Sequence, residues 1–242
     1  MRYHLLTCLL ALLASGGPAR AAEIGVTPVA VHLDRANDRA TVSVTNSGAE
    51  PVIMQVEAVQ WKRDGKVDAD LPTADMLVNP SVFTVQPGQS QLVRVGLRRA
   101  SAAEQEGTYR IVLREVPAAP RLGEVRVSGQ VRVLMALRVP VYVAPANVVR
   151  ELRWQATQAS DGSIVASLRN EGNVHARVGK IQLRSVAGDP LAPEQAAVAV
   201  VFPGESHSFR MSGVAVADAP AMTLEVTTDQ GAHQVPVVLS RR

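Results

Sequence analysis

The residues best able to do chemistry are few and scattered. Gly204-Glu205-Ser206-His207-Ser208 comes near a nucleophile elbow, the strained turn that lifts a serine hydroxyl above a sheet for acyl transfer. Its last residue is Ser rather than Gly, and the patterning is β on both sides rather than strand then helix, so a turn between strands is the better reading. Beyond residue 22 the histidines are His32, His175, His207 and His233, at no close metal-ligand spacing. His175 and His233 could meet only through the fold. No phosphate loop or dinucleotide fingerprint is present. The side chains imply no catalysis, no metal and no cofactor, which turns attention to what the backbone itself can offer.

The stretch Val125 to Val143, VRVSGQVRVLMALRVPVYV, carries an apolar residue or Gly at every odd position. A period of two marks a half-buried β-strand, because successive side chains point to opposite faces. Strands usually run roughly 5–6 residues and rarely pass about 10. At about 3.3 Å per residue this run could span on the order of 60 Å, more than one small sandwich uses. One reading is two ordinary strands joined by a bulge at Gly129 or Pro140. The other is a strand that offers Val127, Val131, Val133 and Met135 to another chain by strand addition, where backbone ladders give affinity and alternate side chains fill pockets.

The elements around that strand come from a chain of 242 residues with 47% hydrophobic content, enough for one large or two modest domains. Residues 1–22 read as a cleavable signal: Arg2 is the positive start, Leu5 to Ala14 the apolar core, and Ala19-Arg20-Ala21 the cleavage site. The apolar run is too short to span a bilayer, and no later segment is long and apolar enough. The expected mature chain starts at Ala22 or Glu23. Cys8 is the only cysteine, so that chain has no disulfide and must be held by its cores. Losing Arg2 and Arg20 leaves 23 basic against 22 acidic residues, a formal charge of +1. Such balance argues against nucleic acid and against an anionic membrane surface. Aromatic content of 3% likewise gives little for base stacking.

In chain order, Ile24–Val31 and Ala40–Val44 read as strands, and Val52–Trp61 alternates with a phase shift near Val59. Arg63-Asp64-Gly65 is a hairpin turn. Val82–Val85, Ser90–Leu97 and Gly107–Pro117 read as further strands, with a possible turn of helix over Ala100–Gln105. Pro145-Ala146-Asn147 reads as a linker. The second half repeats the grammar of the first: Asn170-Glu171-Gly172 echoes Asn46-Ser47-Gly48, and Pro203-Gly204-Glu205-Ser206 echoes Pro87-Gly88-Gln89-Ser90. Short strands at regular spacing with turn signals between them predict two immunoglobulin-like β-sandwiches, an all-β protein.

At this point the chain resembles the PapD-like family of periplasmic chaperones for pilus (fimbrial) subunits. The resemblance covers nearly all of the chain after the signal. It rests on Pro87-Gly88 with Val93-Arg94-Val95, on Tyr109 with Leu113-Arg114-Glu115-Val116-Pro117, and on the long strand ending at Pro145. It implies two immunoglobulin-like domains in an L-shaped (boomerang) arrangement with a cleft, here 23–144 and 148–242 joined by 145–147. It implies periplasmic location, pilus subunits (pilins) as clients and an outer-membrane usher as recipient, with no cofactor and no membrane insertion. Val125–Val143 would then be the G1 strand, donated to a subunit that lacks its own last strand.

Better-known members of that family hold the subunit's C-terminal carboxylate with an Arg on the first strand and a Lys near the end of G1. The corresponding positions here are Ala30 and Pro140, both neutral, so the chain resembles the archaic branch. Arg110, at the start of the strand before G1, is the expected substitute, and Arg138 on G1 the second candidate. A guanidinium suits a carboxylate through paired charge-assisted hydrogen bonds. Arg114 and Glu115 are expected to fix domain geometry beside the cleft. Two other classes fit the composition: a structural pilus or adhesin subunit, which would be expected to carry a donor extension, and a periplasmic copper- or sugar-binding sandwich, which would need clustered ligands or an aromatic platform.

Overall fold

The computed structural model describes residues 23–65, 67–99, 103–117, 133–212, 221–229 and 231–241, with backbone alone for 237–241. Every regular element among them is a β-strand. The first half holds β1 (Ile24–Thr27), β2 (Val31–Leu33), β3 (Arg39–Asn46), β4 (Val52–Asp64), β5 (Val67–Pro72), β6 (Met76–Asn79), β7 (Val82–Val85), β8 (Ser90–Leu97), β9 (Gly107–Val116) and β10 (Ala136–Val143). The second half holds β11 (Leu152–Gln158), β12 (Ile164–Asn170), β13 (Ala176–Ser185), β14 (Gln195–Val201), β15 (Ser206–Met211), β16 (Ala221–Thr228) and β17 (Gly231–Arg241). The all-β expectation holds. The turn of helix expected over Ala100–Gln105 is absent from its described part, which is irregular.

The described residues form two compact units, each discontinuous in sequence. One takes the chain up to Val31 with Arg39–Arg98 and Arg110–Pro140; the other takes His32–Asp38, Arg99–Tyr109 and Val141 onward. The strands of the first half make two sheets, β1-β3-β8-β6 and β2-β10-β9-β4-β5, with β7 also on β4. The strand expected over Ile24–Val31 is therefore two strands in two sheets. Pro28 lies between them and has no N–H to give to a ladder, so the chain can change sheets there. Burial in β4 alternates over Val52, Met54 and Val56, then shifts phase to Val59 and Trp61. The shift coincides with a change of partner: Val52–Gln55 pairs with β7 and Val59–Asp64 with β5.

The strands of the second half form one continuous order, β14-β13-β16-β17-β11-β12-β15. Residues Gly231–Val238 of β17 pair with β16, and Leu239–Arg241 then pair in parallel with β11, so one long strand joins the two halves. Ile164, Leu168, Ile181, Leu183, Phe209, Met222 and Leu224 form its core, with Trp154 packed against the side. Each such side chain contributes about 1.5–3 kcal/mol on burial.

The sequence echoes are a matched pair of locks. Asn46 is fully buried, and its side-chain NH2 donates to the carbonyls of Glu50 (2.8 Å) and Val85 (3.0 Å). Its side-chain oxygen accepts the Gly48 N–H at 3.0 Å, while its backbone exchanges bonds with Gly88 and Gln89. Asn170, 1% exposed, repeats each bond: to the Val174 (2.8 Å) and Val201 (2.9 Å) carbonyls, from Gly172, and with Gly204 and Glu205. The Asn-x-Gly and Pro-Gly turns are thus two ends of one contact, made twice. Gly88 (φ 69°) and Gly204 (φ 80°) sit in the left-handed region, where a side chain is disfavoured. Gly172 is held to glycine by space: a Cβ there would lie 2.4 Å from the Val149 carbonyl oxygen.

Candidate functional site

The long alternating stretch is where sequence and structure meet. Its described part is a strand over Ala136–Val143, preceded by Val133–Met135 without strand pairing; Val127 and Val131 lie outside the described residues, as does the signal segment. Along the odd face, Val143 is 1% exposed, Val141 0% and Val139 4%, all core. Farther along the same register, Val133 is 86% exposed. Met135, between them, is half-buried. One apolar face therefore runs out of its own core into solvent. Among the described residues, β10 has β9 on one side and the three-residue β2 on the other, so much of its length has no described strand beside it there. Pro140 sits within the strand without ending it.

Glu115 fixes where this segment leaves β9. Its backbone N–H donates to the Met135 carbonyl at 2.9 Å, and its carboxylate accepts the Met135 N–H at 3.3 Å. Arg114 points elsewhere, pairing with Glu57 of β4, both side chains 44% exposed. The partly open pair carries at most a modest stabilisation.

Arg110 and Arg138 belong to one cluster on the same sheet. Strand β5 sets Asp70 opposite Trp61 and Asp68 opposite Arg63. Arg110 donates to Asp70 at 2.9 Å and to Asp68 at 2.6 Å, and its guanidinium carbon lies 3.8 Å from the Trp61 ring centroid, a cation–π contact. Arg63 donates to Asp68 and Arg138 donates through Nε to Asp70, both at 2.8 Å. The side chains of Arg110 and Asp70 are 14% and 19% exposed, whereas Arg138 is 48% exposed. Burial pushes the Asp70 carboxyl up, but hydrogen bonds from Arg138 and Arg110 outweigh it and leave the group below its ordinary value. Asp68 is lowered likewise: burial opposes, and bonds from Arg63 and Arg110 win.

A depressed carboxylate contributes stability that is fully present above its unfolded pKa and is lost as pH falls through the folded one. Melting temperature is thus expected to fall on acidification below about pH 4. The fall should be shallower in Asp70→Asn, measured by thermal melts from pH 6 to pH 2.5. An equal acid response in wild type and variant would place the titration elsewhere.

Sequence reasoning missed Asp68 and Asp70 because it placed no strand over 67–72. The signal was there: the Asp-Gly turn demands a returning strand, and Val67-Asp68-Ala69-Asp70-Leu71 alternates.

The second unit holds another polar cluster. His175, 7% exposed, lies with Nδ1 2.7 Å from the Glu106 carboxylate, which also accepts its backbone N–H at 2.9 Å. The ring stacks on Tyr142 with centroids 3.6 Å apart, and Nε2 is 3.8 Å from Asp229. His233 lines the same cavity of about 380 Å³ as His175. Among the described residues, no three His, Cys, Asp or Glu side chains are grouped to hold a metal ion. Gly204 to Ser208 forms the turn into β15, with Ser206 its first residue opposite Arg169, in agreement with the turn reading.

Comparison with known proteins gives a consistent answer. Residues 23–149 of the 242 match the family profile described as pili and flagellar-assembly chaperone, PapD N-terminal domain. The chain is 26% identical over 147 residues to the chaperone protein FimB/FhaD of Bordetella pertussis. That match covers 57% of this chain, and the chain spans 57% of the length of that relative. A chain of the CsuC–CsuE chaperone–tip adhesion subunit pre-assembly complex, from archaic chaperone-usher Csu pili of Acinetobacter baumannii, superposes with a TM-score of 0.60. It has 16% identity, over 91% of this chain and 100% of that one. A chain of the Salmonella enterica SafA pilin–SafB chaperone complex gives the same score and identity, over 91% and 98%. The Escherichia coli chaperone DraB gives 0.59 at 18% identity, over 91% and 98%. At these identities the structures share the fold, immunoglobulin-like in both halves. With the profile covering just over half of the residues, the chain belongs to the family of pili and flagellar-assembly chaperones.

Proposed function

We propose that this protein is a periplasmic chaperone that binds, folds and caps pilus subunits by lending them the segment Val125–Met135 as a missing strand, then passes them to an outer-membrane usher. One observation carries the reading: a single strand face goes from core at Val143, Val141 and Val139 to 86% exposed at Val133. A valine so exposed at an open edge invites aggregation unless another chain covers it. An incomplete sandwich in the client would supply that cover, and the donated side chains would be Val127, Val131, Val133 and Met135. Each buried Val or Met would contribute about 1.5–3 kcal/mol, so capture needs no nucleotide. Arg110 and Arg138 are the proposed anchors for the client's carboxylate, in place of the neutral Ala30 and Pro140. Glu115 would serve by pinning Met135, and Arg114 by tying β9 to β4.

The test is recovery of a partner. A C-terminally tagged chain, expressed in its source organism, should be isolated from the periplasmic fraction with one pilin-like protein in equimolar amount. Its N-terminus should read from Ala22 or Glu23. A tagged chain that stays membrane-bound with Met1 intact, or that never carries a partner, would sink the proposal.

A further inference from the structure

The outer face of the sheet β1-β3-β8-β6 is basic and hollow at its middle. Alternation turns Val93 and Val95 of β8 into the core and leaves Leu92, Arg94 and Gly96 on the opposite face. The register sets two rows across that face: Thr41, Arg94 and Asn79 in one, Arg39, Gly96 and Leu77 in the next. Gly96 has no side chain, so the second row has a gap at its centre. A groove of about 700 Å³ opens there, lined by Arg39, Leu77, Arg94 and Arg98 among others. None of the four strands contains an Asp or Glu; Asp38 and Asp75 come just before β3 and β6. The Arg94 guanidinium has no bonded partner among the described residues. Arg98 donates through Nε to the Ala74 carbonyl at 2.9 Å, and its terminal nitrogens have no partner among the described residues.

We propose that this groove docks an extended acidic polypeptide segment, which lays one carboxylate on Arg94, a second on Arg98, and a small apolar side chain in the gap over Gly96 against Leu77. Arg94 and Arg98 are four residues apart, about 13 Å along an extended chain. A segment running beside β8 repeats that spacing on one of its own faces at residues i and i+4, with residue i+2 over Gly96. Each guanidinium suits a carboxylate through paired charge-assisted hydrogen bonds. A groove of this size is far larger than a lone oxyanion fills, and arginine beside exposed leucine, here Leu77 and Leu92, is the composition of a protein interface. The donated segment leads into β10, which belongs to the other sheet, so the acidic segment and a client would use different sheets of the same unit. The inference stands on this face alone and does not depend on the chaperone reading.

The experiment follows two fluorescein-labelled, end-capped peptides by anisotropy against the full chain without its signal. One reads Glu-Ser-Val-Ser-Glu and the other, of the same composition, Glu-Glu-Val-Ser-Ser. The spaced peptide should bind with a dissociation constant below about 1 mM and about threefold tighter than the other, in keeping with exposed charge pairs. Its binding should weaken when salt is raised from about 50 to 300 mM, which screens such pairs. Arg94→Glu should weaken it on the order of tenfold with an unchanged thermal melt, while Arg153→Ala in the second half leaves it as in wild type. If Arg94→Glu melts early, Arg94→Gln takes its place and should weaken binding about threefold. No binding of the spaced peptide, equal affinity for both peptides, or full affinity in the Arg94 variants would overturn the proposal. Displacement by an equal concentration of inorganic phosphate would make the groove a lone-oxyanion site and overturn it too. Sedimentation with phosphatidylglycerol vesicles that is lost in Arg94→Glu, without peptide binding, would assign the face to a membrane instead.

Discussion

Val133→Asp is expected to abolish recovery of the pilus subunit while the free protein melts as wild type. Val133 is 86% exposed, so an aspartate there meets water in the free chain and costs the fold little. In the complex the same position would enter an apolar pocket of the client. An ionised carboxylate buried there without a partner loses the valine's contribution and adds a desolvation cost of several kcal/mol. A micromolar or even nanomolar complex would not survive a loss of that size, since each 1.4 kcal/mol is about tenfold. The companion variant Val141→Asp separates donation from folding. Val141 is 0% exposed, eight residues along the same face, and its replacement should prevent folding outright. Subunit co-purification and thermal melts of both variants are the measurements. If Val133→Asp also unfolds the chain, the segment is internal after all; if it folds and still captures the subunit, the donated face lies elsewhere.

The reason this contrast can be drawn from one strand was legible in the sequence. The unbroken period of two from Val125 to Val143 exceeds what one sandwich needs, and the fall in burial from Val139 toward Val133 follows that excess. The β class and the repeated turns were equally legible, because Asn-x-Gly and Pro-Gly have strong local meaning. What the local pattern could not give was which turns touch. Asn46 and Gly88 are far apart in sequence, and only the fold shows that the first binds the second. Nor could it separate the candidate anchors. Arg110 and Arg138 look alike along the chain, and their difference comes from which of their nitrogens reach Asp70 and Asp68, a pairing that only the fold brings together. The single strand expected over Ile24–Val31 failed for a similar reason. Local pattern reports that a residue is extended, not which sheet it joins.

Asn46→Ala is expected to destabilise the unit that holds it by about 2–4 kcal/mol, more than any exposed substitution in the same turn. The alanine removes both donors that satisfy the Glu50 and Val85 carbonyls and the acceptor for the Gly48 N–H. The side chain is 0% exposed, so water does not replace these bonds without opening the loop. Each buried group left unpaired costs about 1–3 kcal/mol, and the carbonyls keep part of their capacity through other contacts, which sets the lower figure. Asn46→Asp is the sharper variant: it keeps an oxygen for Gly48 but loses both donors and buries a charge, so it should be worse than alanine. Asn170→Ala should reproduce the effect in the other unit, because its five corresponding bonds match those of Asn46. Thr45→Ala, one residue away and bonded by its hydroxyl to Ser90 in an exposed pair, serves as the control and should change stability by less than about 1 kcal/mol. Urea unfolding followed by tryptophan fluorescence can tell the units apart, since Trp61 lies in the first and Trp154 in the second. Asn46→Ala should move the Trp61 transition and Asn170→Ala the Trp154 transition, with Trp154→Phe and Trp61→Phe backgrounds isolating each signal. If either alanine variant stays within about 0.5 kcal/mol of its parent, the backbone bonds between the two turns suffice, and the buried asparagine is not what closes the sandwich at that end.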